Sequence, residues 1–140
     1  MADDIKDFLD QTKVDVAAVV GINLVYIAPF FDIEALLRTP RFPAAILNDG
    51  GGTLDPHNGQ LWNRTLEVTL VTNIPRDNRM ERSVRDLLDL GELLIAALEH
   101  NTNDSVYLAA DSDVAAVTSE SGVVLCSKTY AFEYVIDRST

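Results

Sequence analysis

The spacing of hydrophobic positions changes several times along the chain, and the changes mark out its elements. From Gln60 to Thr72 apolar and polar residues alternate. Trp62, Leu66, Val68 and Leu70 share one face, interrupted by Arg64, while Leu61, Asn63, Thr65, Glu67, Thr69 and Val71 share the other. A period of two with one wet face predicts a strand of an antiparallel sheet, long enough to serve as one arm of a hairpin. From about Arg79 to Glu99 the period becomes helical, with Met80, Val84, Leu87, Leu88, Gly91, Leu94, Ile95 and Leu98 on one face. Asn78 and Glu81 have the spacing of a capping box, and His100-Asn101 closes the helix. Gly91 inside that face costs about 1 kcal/mol relative to alanine, which predicts a close approach of the helix to the sheet. Alternation returns from Val124 to Ile136: Cys126, Tyr130, Phe132, Tyr134 and Ile136 face one way, with Lys128 among them near a free strand end.

The first half is less regular. Asp3 or Asp4 caps a helix carrying Ile5, Phe8, Leu9 and Thr12, which is expected to stop before the β-branched stretch Val14–Val20. Ile22 to Ala28 reads as a strand ended by Pro29. Asp32 caps a short helix, Ile33 to Arg38, which Thr39-Pro40 terminates. Phe42 to Leu47 is a proline-led strand. Asn48 to Gly59, with four glycines, reads as a long loop. Val106–Ala110 and Val114–Thr118 are short strands, and Ser119–Gly122 is a turn. The fold class is therefore α+β: a mostly antiparallel β-sheet with one long helix, about 79–99, packed on one face, plus an N-terminal helix. One domain over residues 1–140 accounts for the whole pattern.

Composition narrows the function classes. The net charge is −11, with eleven basic against twenty-two acidic residues. Tight phosphate-backbone binding needs a basic cluster. The only candidate, Arg76, Arg79, Arg82 and Arg85, alternates with Asp77, Glu81 and Asp86 and reads as a solvated helix start. The apolar run from Val14 to Phe31 is broken by Asp15, Gly21, Asn23 and Pro29, too often to span a bilayer. The acidic beginning is unlike a signal peptide, and a single cysteine, Cys126, fits a reducing place of synthesis.

Candidate chemistry is sparse. Gly50–Gly52 lacks the lysine and following helix of a phosphate loop. Asp111-Ser112-Asp113 lacks the further oxygens of a calcium loop and reads as a solvated turn. His57 falls in the glycine-rich loop and His100 at a helix end, neither beside a nucleophile. Cys126 on an apolar strand face reads as buried. Asn63-Arg64-Thr65 and Asn103-Asp104-Ser105 match the glycosylation pattern by coincidence. Trp62, Tyr130, Phe132 and Tyr134 read as core beneath the long helix. Phe30-Phe31 in a loop either packs locally or meets a neighbouring subunit.

Taken in order, these elements resemble the tail terminator (tail completion) proteins of long-tailed bacteriophages. The likeness runs through the N-terminal helix, a strand, the proline-led segment Arg41–Leu47, the glycine-rich loop, Trp62–Val71, the helix Glu81–Leu98 and the closing strand Tyr130–Ile136. The segment Lys13–Gly21 is more apolar than that family's pattern. The resemblance implies a homohexameric ring on the head-proximal end of the tail tube, which stops tube polymerisation and offers a docking surface to the neck or head. It implies contacts with self, the tail tube protein and the neck or head-completion protein, and with a sheath protein in a contractile tail. It implies no catalysis, no cofactor or metal, no membrane, and genome passage without sequence-specific binding, in a virion assembled in the host cytoplasm. Exposure arguments place tube contacts on Asp49, Gly50, Gly51, Gly52, His57 and the 73–78 turn with Arg76. Subunit contacts fall on Phe30, Phe31, Trp62 and Arg64. A head–tail connector, neck or tube-like subunit, a small enzyme with a dispersed site, and a ligand-binding regulatory domain are the alternatives.

Overall fold

In a computed structural model the chain forms a six-stranded sheet flanked by three helices. The structure describes residues 4–30, 32–38, 40–74, 80–99, 106–118, 120, 122 and 124–138. In chain order the elements are α1 (Ile5–Ala17), β1 (Leu24–Ile27), α2 (Ile33–Arg38), β2 (Ala44–Leu54), β3 (Leu61–Asn73), α3 (Met80–Glu99), β4 (Tyr107–Asp111), β5 (Ala115–Thr118) and β6 (Val124–Asp137). The strand order is β1-β2-β3-β6-β4, with β5 beside β4 on the same side of β6. Only the β1–β2 pair is parallel. The α+β class and the mostly antiparallel sheet read from the sequence are what the chain adopts.

The alternation in β3 and β6 sorts residues as expected. Leu66, Val68, Leu70, Tyr130, Phe132, Tyr134 and Ile136 are buried on one face, under α1 and α3. The opposite face is largely polar: Thr69 and Thr129 share a hydrogen bond across the strands, and Asn48 donates to Glu67. At one end of that face, α2 builds a second small core from Leu36, Ala44, Ile46, Val71 and Leu125. The sequence pattern did not predict this second layer, because a six-residue helix carries too few turns to declare a face.

Both described helix starts are capped. The Asp4 carboxylate accepts from the Asp7 N–H, and the Asp32 carboxylate accepts from the Glu34 and Ala35 N–H groups. These satisfy donors that helix geometry leaves unpaired. Helix α1 runs on to Ala17 and does not stop before Val14. Phe8, Thr12 and Val16 recur every fourth residue and are buried, so packing outweighs the weak helix preference of valine. The stripe of α3 is rotated from the predicted one. Ser83, Leu87, Leu90, Gly91, Leu94 and Leu98 are buried, while Met80 and Leu88 face solvent. The predicted cap at Asn78 and the helix end at His100-Asn101 lie outside the described residues, as do Asp3, Arg76 and the Asn103–Ser105 triplet.

Strand boundaries differ more. The first strand is only Leu24–Ile27, and β2 starts at Ala44, just after a cis Phe42-Pro43 bond. The largest correction concerns Asn48–Gly59. It is no loop through most of its length: β2 continues to Leu54 and pairs with β3 out to Leu54↔Trp62, leaving only residues 55–60 as the turn. The glycines serve a bulge between Asp49 and Gly52. Gly51 has φ +85°, and a Cβ on Gly52 would lie 2.1 Å from the Asn63 carbonyl oxygen. Strand β3 does form one arm of a hairpin, but it does not stand free, since β6 accompanies it from Leu61↔Asp137 to Asn73↔Leu125.

The approach inferred at Gly91 is close. A Cβ there would sit 1.8 Å from the Tyr130 hydroxyl oxygen and 2.5 Å from the ring carbon bearing it. Tyr130 is itself buried within the main core. Gly91→Ala is therefore expected to destabilise the fold by about 1–3 kcal/mol through overpacking, reversing the sign of the helix-propensity gain. Tyr130→Phe in that background is expected to recover part of the loss, measured by urea unfolding of the single and double variants.

Candidate functional site

The β2–β3 hairpin gathers most of the residues that the sequence singles out. Its tip is a chain of local hydrogen bonds. The Asp55 carboxylate accepts from the His57 and Asn58 N–H groups, and the Asn58 side chain accepts from the Gln60 N–H. Leu61 donates to the Asn58 carbonyl, and Asp55 to that of Leu61. Such Asx-type turns suit a tight reversal. His57 is exposed on this tip.

Behind the tip, the bulge is braced by charge. Arg64, only 6% exposed, reaches both Asp49 carboxylate oxygens from Nη2 at 2.5 Å. Its guanidinium lies over the Trp62 ring at 4.3 Å, and Arg138 approaches the same ring at 5.5 Å. Among the described residues, Arg64 Nε and the Tyr134 hydroxyl are buried with no hydrogen-bond partner. Burial pushes the Tyr134 phenol above its ordinary value, against the lowering effect of Arg64. Arg64 is buried and Asp49 exposed, and a half-buried pair with an unmet donor contributes position more than stability. It ties the bulged part of β2 to β3.

Sequence reasoning placed Trp62 and Arg64 on a contact surface and Trp62 beneath the long helix. The structure makes both part of the hairpin's own bracing, with Trp62 half-buried. Asp49, Gly50 and Gly51 lie at the bulge, and Asp49 also accepts from the Gly51 N–H. Phe30 stands elsewhere, 70% exposed, on the rim of an apolar hollow of about 400 Å3. Leu24, Tyr26, Ala28 and Leu36 form its walls, between β1 and α2. Phe31 and Arg76 lie outside the described residues. The predicted residues thus fall into two places: the hairpin, and the hollow beside β1.

Lys128 departs from expectation. It sits in the middle of β6, not near a free end, and is buried. It pairs with Asp111 at 2.7 Å and donates to the Ser112 carbonyl, while the Ser112 hydroxyl accepts from the Thr129 N–H. The Asp111-Ser112-Asp113 turn is therefore partly a clamp for a buried ammonium. A lysine on an apolar face near an acidic turn carried that signal, because lysine is seldom buried unpaired.

Three further groups are shifted by their surroundings. Burial raises the Cys126 thiol, which lies in the core. Tyr130 is pushed up to about 12, chiefly by burial and then by Asp111 and Glu92. Tyr107 hydrogen-bonds Glu133 on the exposed polar face, which raises its phenol. Among the described residues no three of His, Cys, Asp or Glu gather to hold a metal ion. No helix among them is long and apolar enough to cross a membrane. No family model matches the chain, and no curated protein matches it.

Two outcomes follow from these environments. Asp49→Ala leaves the Arg64 charge buried and unpaired, and is expected to destabilise the fold by about 3 kcal/mol. Adding Arg64→Met is expected to return most of that, measured by urea denaturation. The second concerns alkaline pH. Folded Tyr130 keeps its proton up to about pH 12, whereas the unfolded phenol ionises near its ordinary value of about 10. Between these values the unfolded state holds fewer protons, so stability falls as pH rises. The melting temperature is expected to drop across that window, and to drop less steeply in Tyr130→Phe, followed by circular dichroism.

Proposed function

We propose that this chain is a ring-forming tail terminator of a long-tailed bacteriophage. One observation carries the reading: the resembling elements fall in order within a single sheet, from α1 and β1 through the β2–β3 hairpin and α3 to β6. The reading is one of assembly, not catalysis. Its working parts are surfaces: a braced hairpin tip, an exposed phenylalanine beside an apolar hollow, and a broad polar sheet face.

In this reading, copies of the chain close a ring of six on the head-proximal end of the tail tube. A ring requires a heterologous interface whose rotation closes. The two faces of the ring then differ, one matching the tube protein and the other the neck or head-completion protein, with a sheath protein alongside in a contractile tail. The hairpin tip with His57, together with the Gly50–Gly52 bulge, is the tube contact. Its bracing by Arg64 and Asp49 suits such a role, because a pre-ordered loop loses less entropy on docking. The charge of −11 suits a channel for DNA, since like charge discourages sticking to the walls.

Native mass spectrometry across a concentration series, alone and with purified tail tubes, is the deciding experiment. The expected result is a sixfold species that caps tubes and halts their elongation, and that loses capping when Gly50–Gly52 is deleted. A stable dimer or tetramer that ignores tubes overturns the reading. A sixfold ring that binds head portals but not tubes assigns the chain to the neck instead.

A further inference from the structure

We infer that copies of this chain join head to tail by continuing the sheet, with the open edge of β1 in one copy pairing antiparallel with the open edge of β5 in the next. This names the interface within the ring proposed above and rests on that reading for closure at six.

The edges of the sheet are treated differently. On the far side, β4 is guarded: it carries a bulge between Leu108 and Ala110, and the Glu99 carboxylate takes the Leu108 N–H at 3.4 Å. Bulges and charges on an edge are among the devices that discourage strand addition. Among the described residues β5 has neither, and β1 has neither. Each is four residues long and pairs on one side only. Edge strands without a bulge or a charge still present a short row of unpaired backbone donors and acceptors, which can take another strand.

Direction and chemistry agree. Strand β1 is parallel to β2, and each later step, β2 to β3, β3 to β6 and β6 to β5, is antiparallel. Strand β5 therefore runs opposite to β1, and a next copy in the same orientation offers it an antiparallel partner. Side chains must also stay on their own faces, since a slip of one residue exchanges them. The registers that respect this place Ala115 opposite Tyr26 or Ala28, so a small side chain meets the walls of the Phe30 hollow. At the start of β1, exposed Lys13 and Arg41 line a shallow basin with Asn23 and Leu24. In a chain of charge −11, cations beside an open edge favour the docking of a further acidic copy.

The test is directed cross-linking of the full chain. Ala115→Cys protein is mixed with Ala28→Cys or Tyr26→Cys protein and oxidised; the native Cys126 is buried and points to the other face from Ala115. A mixed disulfide, absent when either variant is oxidised alone, is expected. Lys13→Glu with Arg41→Glu on the same chain is expected to weaken self-association about fivefold per interface. A sixfold species without the mixed disulfide overturns this interface and leaves the ring. Disulfides between two copies of one variant, or no association at any concentration, also overturn it. A mixed disulfide in open-ended chains of no fixed length upholds the interface and overturns the ring.

Discussion

The antiparallel ladder between β3 and β6 is the constraint on which the rest depends. It runs unbroken from Leu61↔Asp137 to Asn73↔Leu125, joining residues far apart in sequence. Every other strand is attached to one of these two, directly or through β2. Because side chains alternate along both strands, setting this register aligns Leu66, Val68 and Leu70 with Phe132, Tyr130 and Lys128 on a single face. A slip of one residue would turn one strand's apolar row to solvent and bring Glu67 or Glu133 inside.

The helices then dock at defined points on that face. Gly91 lets α3 settle against Tyr130, and Phe8 of α1 stacks on Tyr134 with ring centroids 3.6 Å apart and planes 9° from parallel. These contacts account for two choices that propensity alone disfavours: a glycine inside the longest helix, and the continuation of α1 through Val14 and Val16. The charged residues that break the apolar rows are handled by pairing. Arg64 turns to Asp49 and Lys128 to Asp111, each within reach because a bulge or a turn brings the carboxylate back over the strand.

The surfaces left over are one open sheet face, its edges and a hairpin tip. The helices cover one face of the sheet, α2 covers one end of the other, and the remainder is polar and open. Among the described residues the edges of β1 and β5 carry no bulge, while β4 carries one. The hairpin tip is held by its own hydrogen bonds and by the brace behind it. The ring-forming proposal would use each of these features, and sheet continuation would give such a ring a physical means of joining one copy to the next.

Much of this was legible in the sequence, for reasons of period. The alternation in β3 and β6, the helical repeat of α3, the caps at Asp4 and Asp32 and the meaning of Gly91 are local properties, written in spacing that a strand or helix must obey. The glycines of Gly50–Gly52 were visible but not their use. Glycine serves a loop and a bulge equally well, and only the pairing with β3 decides between them. The partners of Arg64 and Lys128 and the rotation of the α3 stripe were likewise settled by contacts between distant segments. So were the second core under α2 and the hollow beside β1. Periodicity reports which side of an element is apolar. It does not report what that side meets, and every feature that bears on function here arises where two elements meet or where an edge meets none.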